Sequence, residues 1–247
     1  MDGPPACGWR INLKTTLLRF WIWAFLVSSV LCASRVYAQP PGSGDMTFSL
    51  TSTEGLDVVN GKSEGTEYRG RKAVKLIAGP DHETADTVVA ILPGTNFKDG
   101  VIEADVAGFP RADAPKDDRG FIGIAFRVQD HGARLENIYI RATNGRAEEQ
   151  IRRNHAVQYE SVPDFPWYRL RKESPGIYES YTDLEAGAWT HLKIVVSGTK
   201  ARLYVNGAAQ PCLIVNDLKL GDTRGAVGLW AFWSTEAYFS NVRIHNE

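Results

Sequence analysis

The feature that most limits the possible folds is a recurring alternation of apolar and polar residues, with no long amphipathic helix between the runs. Such runs are typical of strands with one buried and one wet face. The clearest span residues 101–106, 121–128, 137–141, 155–159, 189–196, 201–205, 226–233 and 237–244, and weaker candidates span 48–50, 73–77 and 87–91. About ten strands without intervening helices predict an all-β fold, a jelly-roll sandwich of two antiparallel sheets.

One hairpin allows the strand register to be derived. The short loop Ser-Gly-Thr-Lys at residues 197–200 joins two alternating runs, so the apolar positions on either side share one face. We expect the following apolar side chains of this hairpin and of a later run to be buried: Leu192, Ile194, Leu203, Val205, Val227 and Leu229. Near the end of the chain, Phe239 and Val242 break the alternation, which predicts a β-bulge near Ser240.

The N-terminal segment has the order of a signal peptide. Three basic residues at positions 10, 14 and 19 precede an apolar run at 20–33, and small or tolerated residues end at Ala38. The run is shorter than the ~20 residues that a membrane span needs. We therefore predict cleavage after Ala38, with an uncleaved anchor or a lipoprotein modified at Cys32 as the alternatives.

This interpretation divides the chain into a signal peptide at residues 1–38, a linker at 39–45 and one β-sandwich domain at 46–247. We expect an exported protein, periplasmic or secreted, with no stable membrane span after cleavage. Of Cys7, Cys32 and Cys212, only the last remains after cleavage, so the mature chain has no internal disulfide. We expect Cys212 to be a buried structural thiol, and a domain without disulfides fits a bacterial periplasm.

The last sixty residues carry a family resemblance. Residues 187–196 (GAWTHLKIVV), 201–207 (ARLYVNG), 225–230 (GAVGLW) and 237–244 (AYFSNVRI) follow one another in an order that resembles the concanavalin A-like lectin/glucanase superfamily. The pattern is similar to laminin-G-like modules and to the bacterial 3-keto-disaccharide hydrolase domain family. The resemblance extends from about Met46 to the end of the chain. It implies a carbohydrate-binding protein, a glycoside-active enzyme or a protein-binding module, and it allows a structural Ca²⁺ but indicates no other cofactor or metal ligand.

The resemblance leaves catalysis open. The laminarinase-like branch of the superfamily places Glu, Asp and Glu at alternate positions of one strand, where the carboxylates share a side. Here Glu103 and Asp105 are followed by Ala107, so the laminarinase-type carboxylate dyad is not present. The two acids that remain are expected on a wet strand face, either solvated or paired with an arginine.

Strand parity predicts a binding surface. If the apolar positions of residues 121–128 face the core, Arg127 faces away from it, and the same parity in residues 137–141 places Tyr139 and Arg141 on that open side. His155 follows the next turn, and Trp167 lies in a Pro-rich segment expected to be a loop. We expect all five side chains to line one concave face.

The residue types on this face suit a carbohydrate or glycoconjugate, because sugars present hydroxyls to polar groups and CH faces to aromatic rings. The predicted substrate-binding residues are the donors Arg127 and Arg141 and the stacking rings Tyr139 and Trp167; His155 is the predicted acid/base if there is turnover. The alternative is a lattice of ion pairs and rings on an exposed sheet. Arg152 and Arg153 form part of a solvated connector or, alternatively, clamp an anionic saccharide. A net charge of −1 gives no basic field for nucleic acid.

Overall fold

The computed structural model describes residues 44–80 and 85–247. The predicted signal peptide and most of the predicted linker lie outside the described residues, so both stay predictions. No helix of the described part of the chain is long and apolar enough to cross a membrane.

The domain is a sandwich of two antiparallel sheets, as the alternation predicts. Sheet A has the order β13-β12-β11-β6-β15-β4-β3, with β1 paired to β15. Its strands are β1 (Asp45–Phe48), β3 (Gly61–Tyr68), β4 (Arg71–Ala78), β6 (Gly100–Pro110), β11 (Thr190–Ser197), β12 (Lys200–Val205), β13 (Leu213–Val215) and β15 (Thr235–Asn246).

Sheet B has the order β10-β9-β8-β7-β14-β5-β2. Its strands are β2 (Asp57–Val59), β5 (Thr87–Ile91), β7 (Phe121–Gln129), β8 (Arg134–Arg141), β9 (Val157–Val162), β10 (Glu179–Ser180) and β14 (Ala226–Phe232). Two short helices, α1 (Gln150–Arg153) and α2 (Trp167–Glu173), and a 3₁₀ turn at Asp130–Gly132 lie in the connections.

The predicted strands are present except for the candidate at 48–50, which overlaps β1 only at Phe48, and the sequence misses four strands: β2, β3, β10 and β13. Strand β3 was missed because none of its side chains is buried, so it has no apolar period. The Pro-rich segment expected to be a loop contains α2, whose seven residues bury only Leu170 and are too short to show a helical period. The run at 155–159 becomes a strand only from Val157 onward.

The predicted core is confirmed. Leu192 pairs with Val205 and Ile194 with Leu203 across the hairpin of β11 and β12. All six side chains expected in the core are at most 5% exposed. The predicted bulge is also confirmed, because the pairing of β15 with β6 shifts between Ser240 and Arg243.

A bulge in β7 makes the predicted orientation of Arg127 wrong. Its pairing with β8 shifts between Phe126 and Gln129, and Arg127 has a φ of 52°. Phe126 faces the core between the sheets, whereas Val128 packs on the outer face of sheet B. The alternation therefore slips by one residue after Phe126, and Arg127 is directed inward.

The inward Arg127 is fully buried and has a structural role. Its guanidinium donates to the backbone carbonyls of Lys98 (2.8 Å), Gly198 (2.7 Å) and Gly221 (2.5 Å), and it is 3.3 Å from a carboxylate oxygen of Asp99. These acceptors belong to three separate connections at one end of the sandwich. Arg127 therefore links these connections and does not contribute to a binding surface on sheet B.

Candidate functional site

The outer face of sheet B carries a groove of about 640 Å³. Outward-facing residues of the central strands form its floor: Phe121, Tyr139, Arg141, Glu160, Trp230 and Phe232. One wall is α2 with the loop before it, and the other is formed by the β6–β7 connection and by the segment around α1. Consecutive strands of one sheet therefore bring residues from distant parts of the sequence together.

The aromatic part of the floor depends on a glycine. Gly123 lies opposite Tyr139 on one side and Trp230 on the other. A Cβ at Gly123 would lie 2.5 Å from the Cα of Tyr139, so a side chain is excluded there. The rings of Tyr139 and Trp230 stack with centroids 4.8 Å apart and an interplanar angle of 25°. The pair is 1% and 3% exposed, so it is the buried base of the floor, and Trp167 in the wall is a groove ring that solvent reaches.

Arg141 is held in the middle of the groove. Its guanidinium donates to the carbonyl of His155 (3.0 Å), to the hydroxyl of Tyr139 (3.3 Å) and to the amide oxygen of Gln158 (3.1 Å). It also lies 5.7 Å from the ring centroid of Trp167. Only 4% of Arg141 is exposed. Its donors are therefore oriented by the fold before any ligand arrives.

His155 is held by a buried carboxylate. Its Nε2 lies 3.2 Å from Oε1 of Glu179, and the same carboxylate accepts hydrogen bonds from Nε and Nη2 of Arg171. Burial lowers the pKa of His155, and the charge of Glu179 opposes that lowering. The imidazole is therefore mostly neutral near pH 7, and its Nδ1 has no hydrogen-bond partner within residues 44–80 and 85–247.

Glu160 is a buried carboxyl in the floor. One of its oxygens accepts a hydrogen bond from Nδ2 of Asn137 (3.1 Å) and the other from the backbone N–H of Trp167 (3.2 Å). Burial raises the pKa of Glu160, and these two hydrogen bonds only partly oppose the effect. The groove thus contains a carboxyl that keeps its proton to a higher pH than an ordinary glutamate.

Four of the five predicted site residues line this groove: Tyr139, Arg141, His155 and Trp167. Trp167 is 39% exposed at the start of α2. The fifth, Arg127, faces the opposite side of the sheet, so the predicted five-residue surface does not form. The roles of the other four in binding or turnover stay predictions.

Several groove residues are not among the predicted site residues although their parity was readable. Val227 and Leu229 face the core, so Trp230 and Phe232, which have the opposite parity, both face outward and line the groove. Glu160 is likewise outward because Tyr159 faces the core. Arg119 lies in the β6–β7 connection, which has no alternation of apolar and polar residues, so no sequence signal placed it here.

Glu103 and Asp105 lie on the other sheet. Both are on β6, where they face outward from sheet A and take no part in the groove. Asp105 is 3.2 Å from Arg71 and 2.9 Å from Nδ1 of His191. The expectation of an arginine partner is therefore met for Asp105.

No set of three or more His, Cys, Asp or Glu side chains in the described residues is arranged to hold a metal ion. Calcium also binds backbone oxygens. The prediction of a structural Ca²⁺ therefore stays untested.

Comparison with known proteins shows that the chain is similar in fold to several solved structures. No protein-family model matches the sequence, and no curated protein matches it either. A carbohydrate-binding module, CBM66 from Bacillus subtilis, is similar in structure with a TM-score of 0.52 and 17% identity, over 77% of this chain and 95% of that one. A Bacillus subtilis protein with a galectin-like fold has a TM-score of 0.53 and 13% identity, over 81% and 94%.

A third similar structure is the cellulose induced protein Cip1, with a TM-score of 0.52 and 12% identity, over 82% of this chain and 97% of that one. At these identities the likeness concerns the fold alone. Together with the order of strands in sheets A and B, it shows the all-β jelly-roll sandwich that the sequence predicts.

Proposed function

We propose that this protein binds a carbohydrate or glycoconjugate in the groove of sheet B. The observation that carries the proposal is the exposed indole of Trp167 in the groove wall, 5.7 Å from the oriented guanidinium of Arg141. An apolar ring surface next to fixed polar groups matches the two kinds of surface that a sugar presents. The stacked pair of Tyr139 and Trp230 is buried and supports the floor beneath them.

The comparisons support the proposal at the level of the fold. One of the similar structures is named as a carbohydrate-binding module, and another has a galectin-like fold. One fold supports many functions, so the argument depends on the groove residues.

The test is calorimetry with a saccharide identified on a glycan array. Trp167→Ala should weaken binding by about fivefold or more, since a stacked aromatic pair contributes ~0.5–1.5 kcal/mol beyond the buried area. Its melting temperature should change little, because Trp167 is on the surface of the wall. Trp189→Ala is the matched control, since Trp189 packs against Tyr68 of sheet A.

Arg141→Ala should also weaken binding, because it removes donors from the centre of the groove. Unchanged affinity in both Trp167→Ala and Arg141→Ala would place the site elsewhere. A loss in Trp189→Ala alone would move it to sheet A.

Two groups favour a glycoside-active enzyme as a second candidate. Glu160 is a carboxyl with a raised pKa, as a general acid requires. His155 is oriented by Glu179, and its Nδ1 has no hydrogen-bond partner in the described residues. Hydrolysis of the bound saccharide that is lost in Glu160→Gln or His155→Asn, with affinity retained, would establish this activity. Binding without turnover would leave the protein a binding module.

The proposal includes export, because the predicted signal peptide would deliver the domain to extracellular or periplasmic glycans. The expected mature N-terminus is Gln39, which N-terminal sequencing of the secreted protein measures. A first residue of Met1 or a lipid on Cys32 would contradict it.

A further inference from the structure

The groove contains more positive charge than its own carboxylates neutralise. Four arginines line it: Arg119, Arg141, Arg152 and Arg171. Arg171 has a close carboxylate partner, because its Nη2 lies 2.5 Å from Oε2 of the buried Glu179, and Arg152 has a longer contact of 3.4 Å to the exposed Glu149.

Arg141 is nearly buried and bonds only to neutral acceptors. Within the described residues no carboxylate comes within ion-pair distance of it. A buried charge without a counter-charge is costly. Part of that cost would be relieved by an anion bound in the groove.

Arg119 and Arg152 are brought together by Thr143, whose backbone N–H donates to the carbonyl of Arg119 (3.1 Å) and whose hydroxyl accepts from Nη2 of Arg152 (3.4 Å). Burial lowers the pKa of Arg119 and the charge of Arg152 lowers it further, whereas the charges of Asp117, Asp118 and Glu149 raise it. The hydrogen bond of Arg119 goes to the carbonyl of Asp118, and no ion pair is formed by Arg119 in the part of the chain that the structure describes. Its guanidinium fork is therefore available.

Arg152 is only loosely held. Its contacts to Asn144, Thr143 and the exposed Glu149 are each 3.4 Å long. Such contacts are weak compared with the 2.7–2.9 Å typical of charge-assisted hydrogen bonds. An anion bound between the two arginines would form shorter hydrogen bonds, and Arg152 would give up only these weak contacts.

The acidic residues of the groove do not cancel this charge. Asp86, Asp117 and Glu160 line it, but none is within ion-pair distance of a groove arginine in residues 44–80 and 85–247. Burial raises the pKa of Glu160 and of Asp86, which favours their neutral forms. Asp117 is exposed, so its charge is screened by solvent.

We infer that the groove takes an acidic saccharide, whose carboxylate or sulfate is bound by Arg119 and Arg152 while a sugar ring stacks on Trp167. This inference rests on the proposed function. Two guanidinium groups that line one groove, one without an ion pair and one with only a 3.4 Å contact to the exposed Glu149, suit the paired oxygens of such an anion. The positions of the arginines follow from the β6–β7 connection and α1, which form the wall beside Arg141.

The test compares an oligouronate, its carboxyl-reduced neutral counterpart and a sulfated neutral oligosaccharide of the same length, by calorimetry. The oligouronate or the sulfated sugar should bind at least about tenfold more tightly than the neutral one, since a hydrogen bond to a charged group contributes about one to two powers of ten. The two acidic sugars show which anion is preferred.

Arg119→Met and Arg152→Met should each remove most of that preference, measured as the ratio of the affinities for the acidic and the neutral sugar. The matched control is Arg202→Met, which removes an exposed arginine of β12 on sheet A. Melting temperatures of all three variants show that they fold. Retained preference in both groove variants would overturn the inference.

The outcomes separate the two proposals. Equal affinity for acidic and neutral sugars refutes the acidic preference but supports a carbohydrate site in the groove. No binding of any of the three sugars, together with no hit on a glycan array, would contradict the proposed function itself.

Discussion

Arg127→Met tests whether a buried arginine on sheet B is structural. Methionine keeps most of the apolar stem but removes every donor of the guanidinium. The carbonyls of Lys98, Gly198 and Gly221 would then each lose a hydrogen bond. Because these carbonyls belong to three connections, the end of the sandwich should loosen while the groove keeps its shape.

The magnitude follows from the number of lost partners. Leaving a buried carbonyl without a donor costs ~1–3 kcal/mol, and the lower value applies here because the three connections are partly exposed and water can replace the donor. Three carbonyls therefore give a loss of about 3 kcal/mol in the free energy of unfolding. The burial that lowers the pKa of Arg127 shows that the guanidinium itself is costly to bury, which keeps the loss near that value.

The assay is urea unfolding followed by tryptophan fluorescence. With a slope of about 2 kcal/mol per molar urea, the midpoint should fall by about 1.5 M. Arg202→Met, on the exposed face of β12, should move the midpoint by less than about 0.3 M. An unchanged midpoint in Arg127→Met, together with weaker saccharide binding, would refute the structural role and restore the role predicted from parity.

Three further predictions concern other positions. Leu203→Ala should lower the free energy of unfolding by ~2–5 kcal/mol, because Leu203 is fully buried; a loss below ~0.5 kcal/mol in a urea titration would place it outside the core. Burial raises the pKa of Cys212 to about 11, so its thiol should react with a thiol reagent at pH 8 only after unfolding, and fast labelling of the native protein, followed by mass spectrometry, would contradict this. Because the folded state raises the pKa of Glu160, it binds more protons there than the unfolded state, and stability falls as pH rises from about 4.5 through the raised value. Glu160→Gln should lack that fall and be the more stable protein at pH 7, and parallel pH profiles of the two proteins would refute the assignment.

The sequence predicts the sandwich because its strands bury one face each. Leu192 and Ile194 could be assigned to the core from period two and from one hairpin loop. Strand β3 could not be found in this way, because it lies at the edge of sheet A and buries no side chain. Alternation therefore identifies strands by burial and fails where a strand has none.

The groove is predictable only in part, because parity holds only between bulges. Tyr139 and Arg141 alternate regularly along β8 with the core residues Ile138 and Ile140, so their side of the sheet follows from the sequence. Arg127 comes directly after the last regular residue of β7, and its positive φ is not encoded by a glycine or asparagine. Arg119 is placed by a connection without any period, so only the folded chain shows its position near Arg152.

The central claim is that the groove of sheet B holds the saccharide, and the indole N–H signals of the tryptophans test it most directly. Trp167 and Trp230 line the groove, whereas Trp189 lies against Tyr68 on sheet A. In a titration of ¹⁵N-labelled protein with a saccharide from the glycan array, assigned through single Trp→Phe variants, we expect the signals of Trp167 and Trp230 to shift and that of Trp189 to stay. A shift of the Trp189 signal with no change at Trp167 and Trp230 would contradict the account.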